Sequence, residues 1–237
     1  MKDNRSGRIW LGRAAQNIVR GLLVTLVALA VSGVASAQDK KEEISTSNLL
    51  PSPTTPAAIT PPEGNTAFLG THGVGTQGYV CLPKGSGASW TVNGARPEAT
   101  LFVSFFGEAV QVITHFLSPN VNHNDFAPNP LPFANATWQS SFDSSKVWAS
   151  ASPQTTIAAG SDTSCPNGGA IPCLLLQVIG SQKGPTGGKT MTKTTFIQRL
   201  NTNGGTAPDS GCLTLSDVGK QTLVPYTADY FFFRDDN

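Results

Sequence analysis

Charge is scarce in this 237-residue chain: Asp, Glu, Lys and Arg together make up only 13% of it. The 16 basic and 15 acidic residues nearly cancel, and no basic run follows Lys40-Lys41. A nucleic-acid partner, held by neutralising phosphates, is therefore excluded. Attraction to a charged membrane surface is equally unsupported. Cys-x-x-Cys spacing is missing, which argues against thioredoxin-like and zinc-ribbon sites. Neither H-x-H nor H-E-x-x-H occurs, and no G-x-S-x-G elbow marks a serine hydrolase. Beyond residue 37, no 12-residue window carries an apolar helical stripe behind a capping residue. An α-helical domain is thereby excluded as well.

The first residues are the most informative that remain. Lys2, Arg5, Arg8, Arg13 and Arg20 precede an apolar run from Gly21 to Val34, and Ala35-Ser36-Ala37 follows. Basic, apolar and small-x-small segments in that order predict an export signal over 1–37, cut between Ala37 and Gln38. The apolar run, about 14 residues, is too short to cross a hydrocarbon core of ~30 Å as a helix. An uncleaved signal is the one route by which the sequence ties the chain to a membrane. Without residues 1–37 the chain keeps 11 basic and 14 acidic residues, a net charge of −3. The predicted location is secreted or periplasmic.

All four cysteines (Cys81, Cys165, Cys173, Cys212) lie in the exported part. An even number in an oxidising compartment predicts two disulfides rather than four free thiols. Of three pairings the favoured one is Cys165–Cys173 with Cys81–Cys212. The first pair flanks Pro166-Asn167-Gly168-Gly169, a turn-forming stretch. In the chain-entropy model the long loop contributes roughly 5 kcal/mol and the short one about 2.6, both upper figures.

Residues 38–63 begin charged and become rich in Ser, Thr and Pro, with Pro51, Pro53, Pro56, Pro61 and Pro62. Such a stretch buries little apolar area and reads as a disordered tether. A single β domain is predicted over 64–237. Phe68, Tyr79-Val80-Cys81, Leu101-Phe102-Val103 and Val110-Gln111-Val112-Ile113 are short β-branched or aromatic runs between turn residues. Cys173 to Ile179 suits a strand buried on both faces. Thr190 to Leu200 alternates, placing Thr194, Phe196, Gln198 and Leu200 on one face and Met191, Lys193, Thr195, Ile197 and Arg199 on the other. Tyr230-Phe231-Phe232-Phe233 supplies a final aromatic strand. The expected fold is all-β: a disulfide-stapled β-sandwich or irregular β-barrel of about ten strands with short helical turns.

Gly73-Val74-Gly75-Thr76-Gln77-Gly78 fits G-x-G-x-x-G, with Glu98 downstream. Dinucleotide binding needs a helix after the glycines. A strand ended by Pro83 follows instead, so a bulge or tight turn is the reading and no cofactor is expected. His72 and His115 sit at predicted strand ends; with Glu98, Asp125 or Asp143 they are candidates for a two-His-one-carboxylate site. His123 is the third histidine. Glu98, with Asp143 or Asp229, is the candidate carboxylate pair for glycoside hydrolysis. Trp90, Trp138, Trp148, Tyr226 and Tyr230 offer stacking faces for a carbohydrate or small-molecule ligand, or else fill the core. Arg199 stands in a strand otherwise fit for burial and calls for a carboxylate partner, Asp229 or Glu98, as structure or as an anion clamp.

Several blocks resemble a family of secreted bacterial and fungal proteins known only as domain of unknown function 3455. They include Thr71-His72-Gly73-Val74-Gly75, Pro97-Glu98-Ala99-Thr100-Leu101-Phe102, Thr114-His115-Phe116 and Ala136-Thr137-Trp138-Gln139. Thr195 to Thr202, Gly211-Cys212 and Val224 to Tyr230 continue the likeness over nearly the whole domain. The resemblance implies that Cys81–Cys212 is the family-wide disulfide. The family usually carries Trp where Cys173 follows Ile171-Pro172, which implies that Cys165–Cys173 is peculiar to this chain. The stretch from Ser118 to Phe133 resembles a lengthened loop, which sets His123 apart. The resemblance brings no activity. The sequence therefore predicts an exported, non-catalytic module for ligand binding or envelope association, with candidates His72, Glu98, His115, Trp138, Arg199 and Asp229. The alternative is an extracytoplasmic enzyme or metal protein that gathers His72, His115 and Glu98 in one pocket.

Overall fold

The computed structural model describes residues 53–92, 98–118 and 135–237. The export signal, the Ala37/Gln38 junction, most of the tether, His123 and Asp125 lie outside the described residues.

Ten strands follow one another: β1 (Asn65–Lys84), β2 (Gly87–Val92), β3 (Glu98–Phe105), β4 (Glu108–Ser118), β5 (Asn135–Ser140), β6 (Lys146–Ser150), β7 (Thr156–Ile157), β8 (Cys173–Gln182), β9 (Thr194–Gly204) and β10 (Gln221–Asp235). Helical structure among the described residues is confined to 3₁₀ turns at Ala57–Ile59, Pro153–Thr155 and Leu215–Asp217. All pairings are antiparallel, in the order β10-β9-β8-β6-β5-β4-β3-β1, and β1 pairs back onto β10. Eight strands thus close into an irregular ring, with β2 attached to β1 and β7 to β8. Of the two architectures expected, the barrel-like one forms.

Strand β1 makes the closure. The sequence shows Phe68 and Tyr79-Val80-Cys81 as separate runs, yet one 20-residue strand joins them. One edge pairs with β10 from Asn65 to Val80, and the other takes β3 and then β2. The glycine motif lies inside this strand and is neither a bulge nor a turn; the register shift falls at Ala67/Leu69. A Cβ on Gly73 would stand 2.8 Å from the Tyr230 ring, and one on Gly75 would collide with the Glu98 carbonyl. Close approach of neighbouring chains, not phosphate binding, requires these glycines.

Alternation along the strands builds two cores. Inward residues, among them Leu101, Ile113, Trp138, Val147, Ile197, Tyr230 and Phe232, fill the ring. Outward Leu175 and Leu200 form a second core with Cys165, Cys173 and Ile59. Ile59, within the stretch read as tether, is fully buried there, and its carbonyl accepts from Gln198 Nε2 at 2.6 Å. Strand β9 shows the alternation read from the sequence: Phe196 and Leu200 join the outer core, Ile197 the inner one.

Both disulfides form as favoured. Cys81–Cys212 spans 131 residues with Cα atoms 5.5 Å apart, and Cys165–Cys173 spans 8 with Cα atoms 6.0 Å apart. Two such bonds suit an oxidising, extracellular environment. Among the described residues no helix is long and apolar enough to cross a membrane.

Candidate functional site

The ring interior gathers the polar side chains that an apolar core does not need. The register sets Ala99 beside His115, His115 beside Trp138, and Trp138 beside Val147. Farther round, Arg199 lies between Tyr230 and Leu174. The His115 ring stacks on Trp138 with centroids 4.1 Å apart and planes 10° from parallel. Tyr230 approaches both rings, at 6.1 and 6.3 Å. Its hydroxyl shares a 2.7 Å hydrogen bond with that of Tyr226. Tyr79 donates its hydroxyl to the Gly205 carbonyl at 2.6 Å.

Burial governs the protonation of this cluster. His115 Nδ1 lies 2.9 Å from the Thr137 carbonyl. A carbonyl only accepts, so Nδ1 carries the proton of a neutral ring. Desolvation lowers the His115 pKa to about 4, the Thr137 bond raises it against that trend, and the Arg199 charge lowers it further. Burial pushes the Tyr226 hydroxyl far above its usual range, and the neighbouring Tyr230 hydroxyl adds to this. Tyr79 is raised by burial and drawn back by Arg199. The Arg199 charge thus acts on all three groups.

Arg199 itself is only half-buried. Its Nη2 donates to the Pro172 carbonyl at 2.8 Å, while its Nε is buried without a partner. Trp138 Nε1 is likewise buried and unpartnered. The carboxylate partner expected from the sequence is not there: among the described residues no carboxylate pairs with Arg199. Register explains the miss. Asp229 opposes Leu200, one residue along from Arg199, and a step of one residue moves a side chain to the other face. Two donors, Arg199 Nε and the Trp138 indole N–H, are thus left without acceptors, while the phenolic hydroxyls are already hydrogen-bonded.

Asp229 belongs to the outer face. Its Oδ1 is 2.9 Å from His72 Nδ1, and its Oδ2 accepts from Asn201 Nδ2 at 2.8 Å. Three strands contribute one residue each. Asn201 adopts φ 49°, a left-handed conformation that Asn tolerates better than most residues. His72 is 56% exposed, and among the described residues no hydroxyl hydrogen-bonds to it. The structure thus joins His72 with Asp229 but separates both from His115, since His72 alternates with the inward Thr71 and Gly73. Glu98 is exposed at the start of β3 opposite Thr76. It borders a shallow outer depression with Val74, Thr100 and Phe116. The pocket of His72, His115 and Glu98 does not form, and no three His, Cys, Asp or Glu side chains among the described residues are placed to hold a metal.

Asp143 is occupied structurally. It accepts from the backbone N–H and hydroxyl of both Ser145 and Thr190, at 2.7–3.0 Å. Desolvation opposes ionisation, but those four bonds outweigh it and hold the carboxyl well below its usual range. Trp90 is used as a donor to the Ser210 carbonyl at 2.9 Å. The Tyr226–Tyr230 hydroxyl pair went unread in the sequence, although Tyr226, Ala228 and Tyr230 share one face by alternation.

A sequence model of the family described as protein of unknown function (DUF3455) matches residues 61–234. No curated protein and no solved structure matches the chain. The match covers every strand of the ring but for the last residue of β10, so the chain belongs to this DUF3455 family.

Proposed function

We propose that the chain is an exported, non-catalytic binding module whose ring interior, at Arg199, takes a small carboxylate-bearing ligand such as an acidic sugar. The observation that carries this reading is the uncompensated Arg199 guanidinium, with its Nε and the indole N–H of Trp138 both buried and unpartnered. Buried donors without acceptors cost stability unless something else accepts from them. Tyr230 and the His115–Trp138 stack are buried in the same ring interior, and aromatic faces beside polar groups are a usual pairing at sugar and small-ligand sites. Export is supported by the basic–apolar–small order of residues 1–37 and by two disulfides. A binding role is favoured over catalysis because the titratable candidates are dispersed: His115 inside, His72 and Asp229 outside, Glu98 apart.

The test is native mass spectrometry of the protein taken from its extracytoplasmic compartment, beside R199M. Wild type should carry a dissociable small acid, or bind added glucuronate, and R199M should do neither while keeping its melting temperature. An R199M protein that binds glucuronate as wild type does would overturn the reading. N-terminal sequencing should begin at Gln38; a chain that still begins at Met1 would contradict a cleaved signal.

A further inference from the structure

Strand β9 carries a bulge beside Asp229. Gly204 and Asn203 pair with Tyr226 and Thr227, and Leu200 with Asp229, so Asn201 and Thr202 together oppose Ala228. Two residues against one is a β-bulge, a device that re-aims a side chain. By alternation Asn201 would follow Ile197 and Arg199 into the ring. Instead it takes φ 49°, a left-handed conformation uncommon for a residue other than glycine, and its Nδ2 reaches Asp229 Oδ2 on the outer face.

The return in stability is small. Asp229 and His72 keep 32% and 56% of their side chains exposed, and polar pairs at such exposure contribute little to a fold. Sparsely populated backbone held for the sake of exposed polar side chains points to function. What the trio offers is acceptors. The Asp229 carboxylate only accepts, so its partner Nδ1 carries the His72 proton and Nε2 keeps a lone pair. Asn201, donating through Nδ2, leaves Oδ1 uncommitted. Among the described residues no hydrogen bond reaches His72 Nε2 or Asn201 Oδ1.

The neighbours are apolar or hydroxylic. Directly opposite His72 on β3 stands Phe102, half-buried and a member of neither core. Two residues (~7 Å) along β1 from His72, Val74 opens the shallow outer depression that Thr100 and Thr114 also line. Along β1 and β3 the nearest other charged residue is Glu98, opposite Thr76.

We propose that this outer face holds a neutral glycan, with sugar hydroxyls donating to His72 Nε2 and Asp229. The apolar face of that sugar rests on Phe102, and the next unit of the glycan lies over the depression. Fixed acceptors beside an aromatic ring suit a sugar, which presents hydroxyl donors and a C–H face together. An anion finds no free donor in the trio while His72 is neutral. A metal ion finds no set of three His, Cys, Asp or Glu side chains among the described residues. The site lies outside the ring and does not depend on the reading of Arg199.

The test is NMR of the full chain, following the imidazole ¹⁵N signals of His72 as neutral hexasaccharides of glucose, mannose and N-acetylglucosamine are added in turn. At least one should shift the Nε2 signal saturably. Calorimetry with that sugar should show binding weakened about tenfold or more in H72F and in D229N, the loss of one hydrogen bond to a strong acceptor. Both residues are exposed, so two independent variants remain available in folded form. R199M should bind the sugar as wild type does. An unmoved His72 signal with all three sugars overturns the proposal, as does undiminished binding in H72F and D229N or its loss in R199M. An equal shift produced by methylammonium would assign the trio to a cation and also overturn it.

Discussion

His115 is a titratable group held neutral by burial, and its consequence is a pH dependence with a definite sign. Above pH 6.5 the ring is neutral in both folded and unfolded chains and contributes no slope. As pH falls from 6.5 to about 4, the unfolded chain takes up a proton that the folded chain refuses, so stability declines; below about 4 the decline from this group ends. The loss is about 3 kcal/mol across that window. Urea unfolding of wild type and H115F at pH 7 and pH 4.5 should show a smaller acid loss in H115F; equal losses would contradict the burial. Asp143 is the opposite case, an ionised group held by Ser145 and Thr190. D143A should lose on the order of 2 kcal/mol at neutral pH, measured by the same method. Arg199 differs from both. With no carboxylate partner among the described residues, R199M should keep wild-type stability or exceed it; a loss of several kcal/mol would require an ion pair that is absent from those residues.

Among the elements, β1 and β9 explain what a reader of the sequence can and cannot see. Strand β9 was legible because alternation of Phe196, Gln198 and Leu200 with Ile197 and Arg199 is local, and burial on two faces keeps that pattern unbroken. Strand β1 was not legible as one unit, because its glycines answer to partners far away: Tyr230 for Gly73 and Glu98 for Gly75. Local composition reads such glycines as a break, whereas only the packed ring shows the approach. G75A should therefore force β1 and β3 apart and cost at least about 2 kcal/mol, well beyond the usual cost of overpacking a flexible site. Melting curves of G75A beside G85A, whose Cβ would meet nothing within 4 Å, separate collision from φ strain. The same limit hid the site. Which face each candidate occupies was readable by parity, but register across strands decides which carboxylate meets which base, and register is not a local property. Hence Asp229 meets His72 and Asn201 rather than Arg199.

At the scale of the whole molecule, ring closure and the long disulfide act on the same end of β1. Cys81 lies where β1 leaves β10 for β2, and Cys212 holds the 206–220 segment against it, with the Cys81 amide donating to the Lys220 carbonyl at 2.8 Å. C81A/C212A should lose up to about 5 kcal/mol and C165A/C173A less, about 2.6, by the loop lengths they release; reversed sizes in calorimetry would show that strain, not loop closure, governs them. The pairing was legible because the cysteines are few and even; the ring was not, because closure depends on β1 meeting β10 across most of the chain. Closure also brings Arg199, Trp138, Tyr226 and Tyr230 to one interior, where the proposed binding role is located. The direct test is the indole N–H resonance of Trp138 in a ¹⁵N-labelled sample titrated with glucuronate. A saturable shift that disappears in R199M is expected; an unmoved Trp138 resonance at saturating glucuronate, with ligand bound elsewhere or not at all, would contradict it.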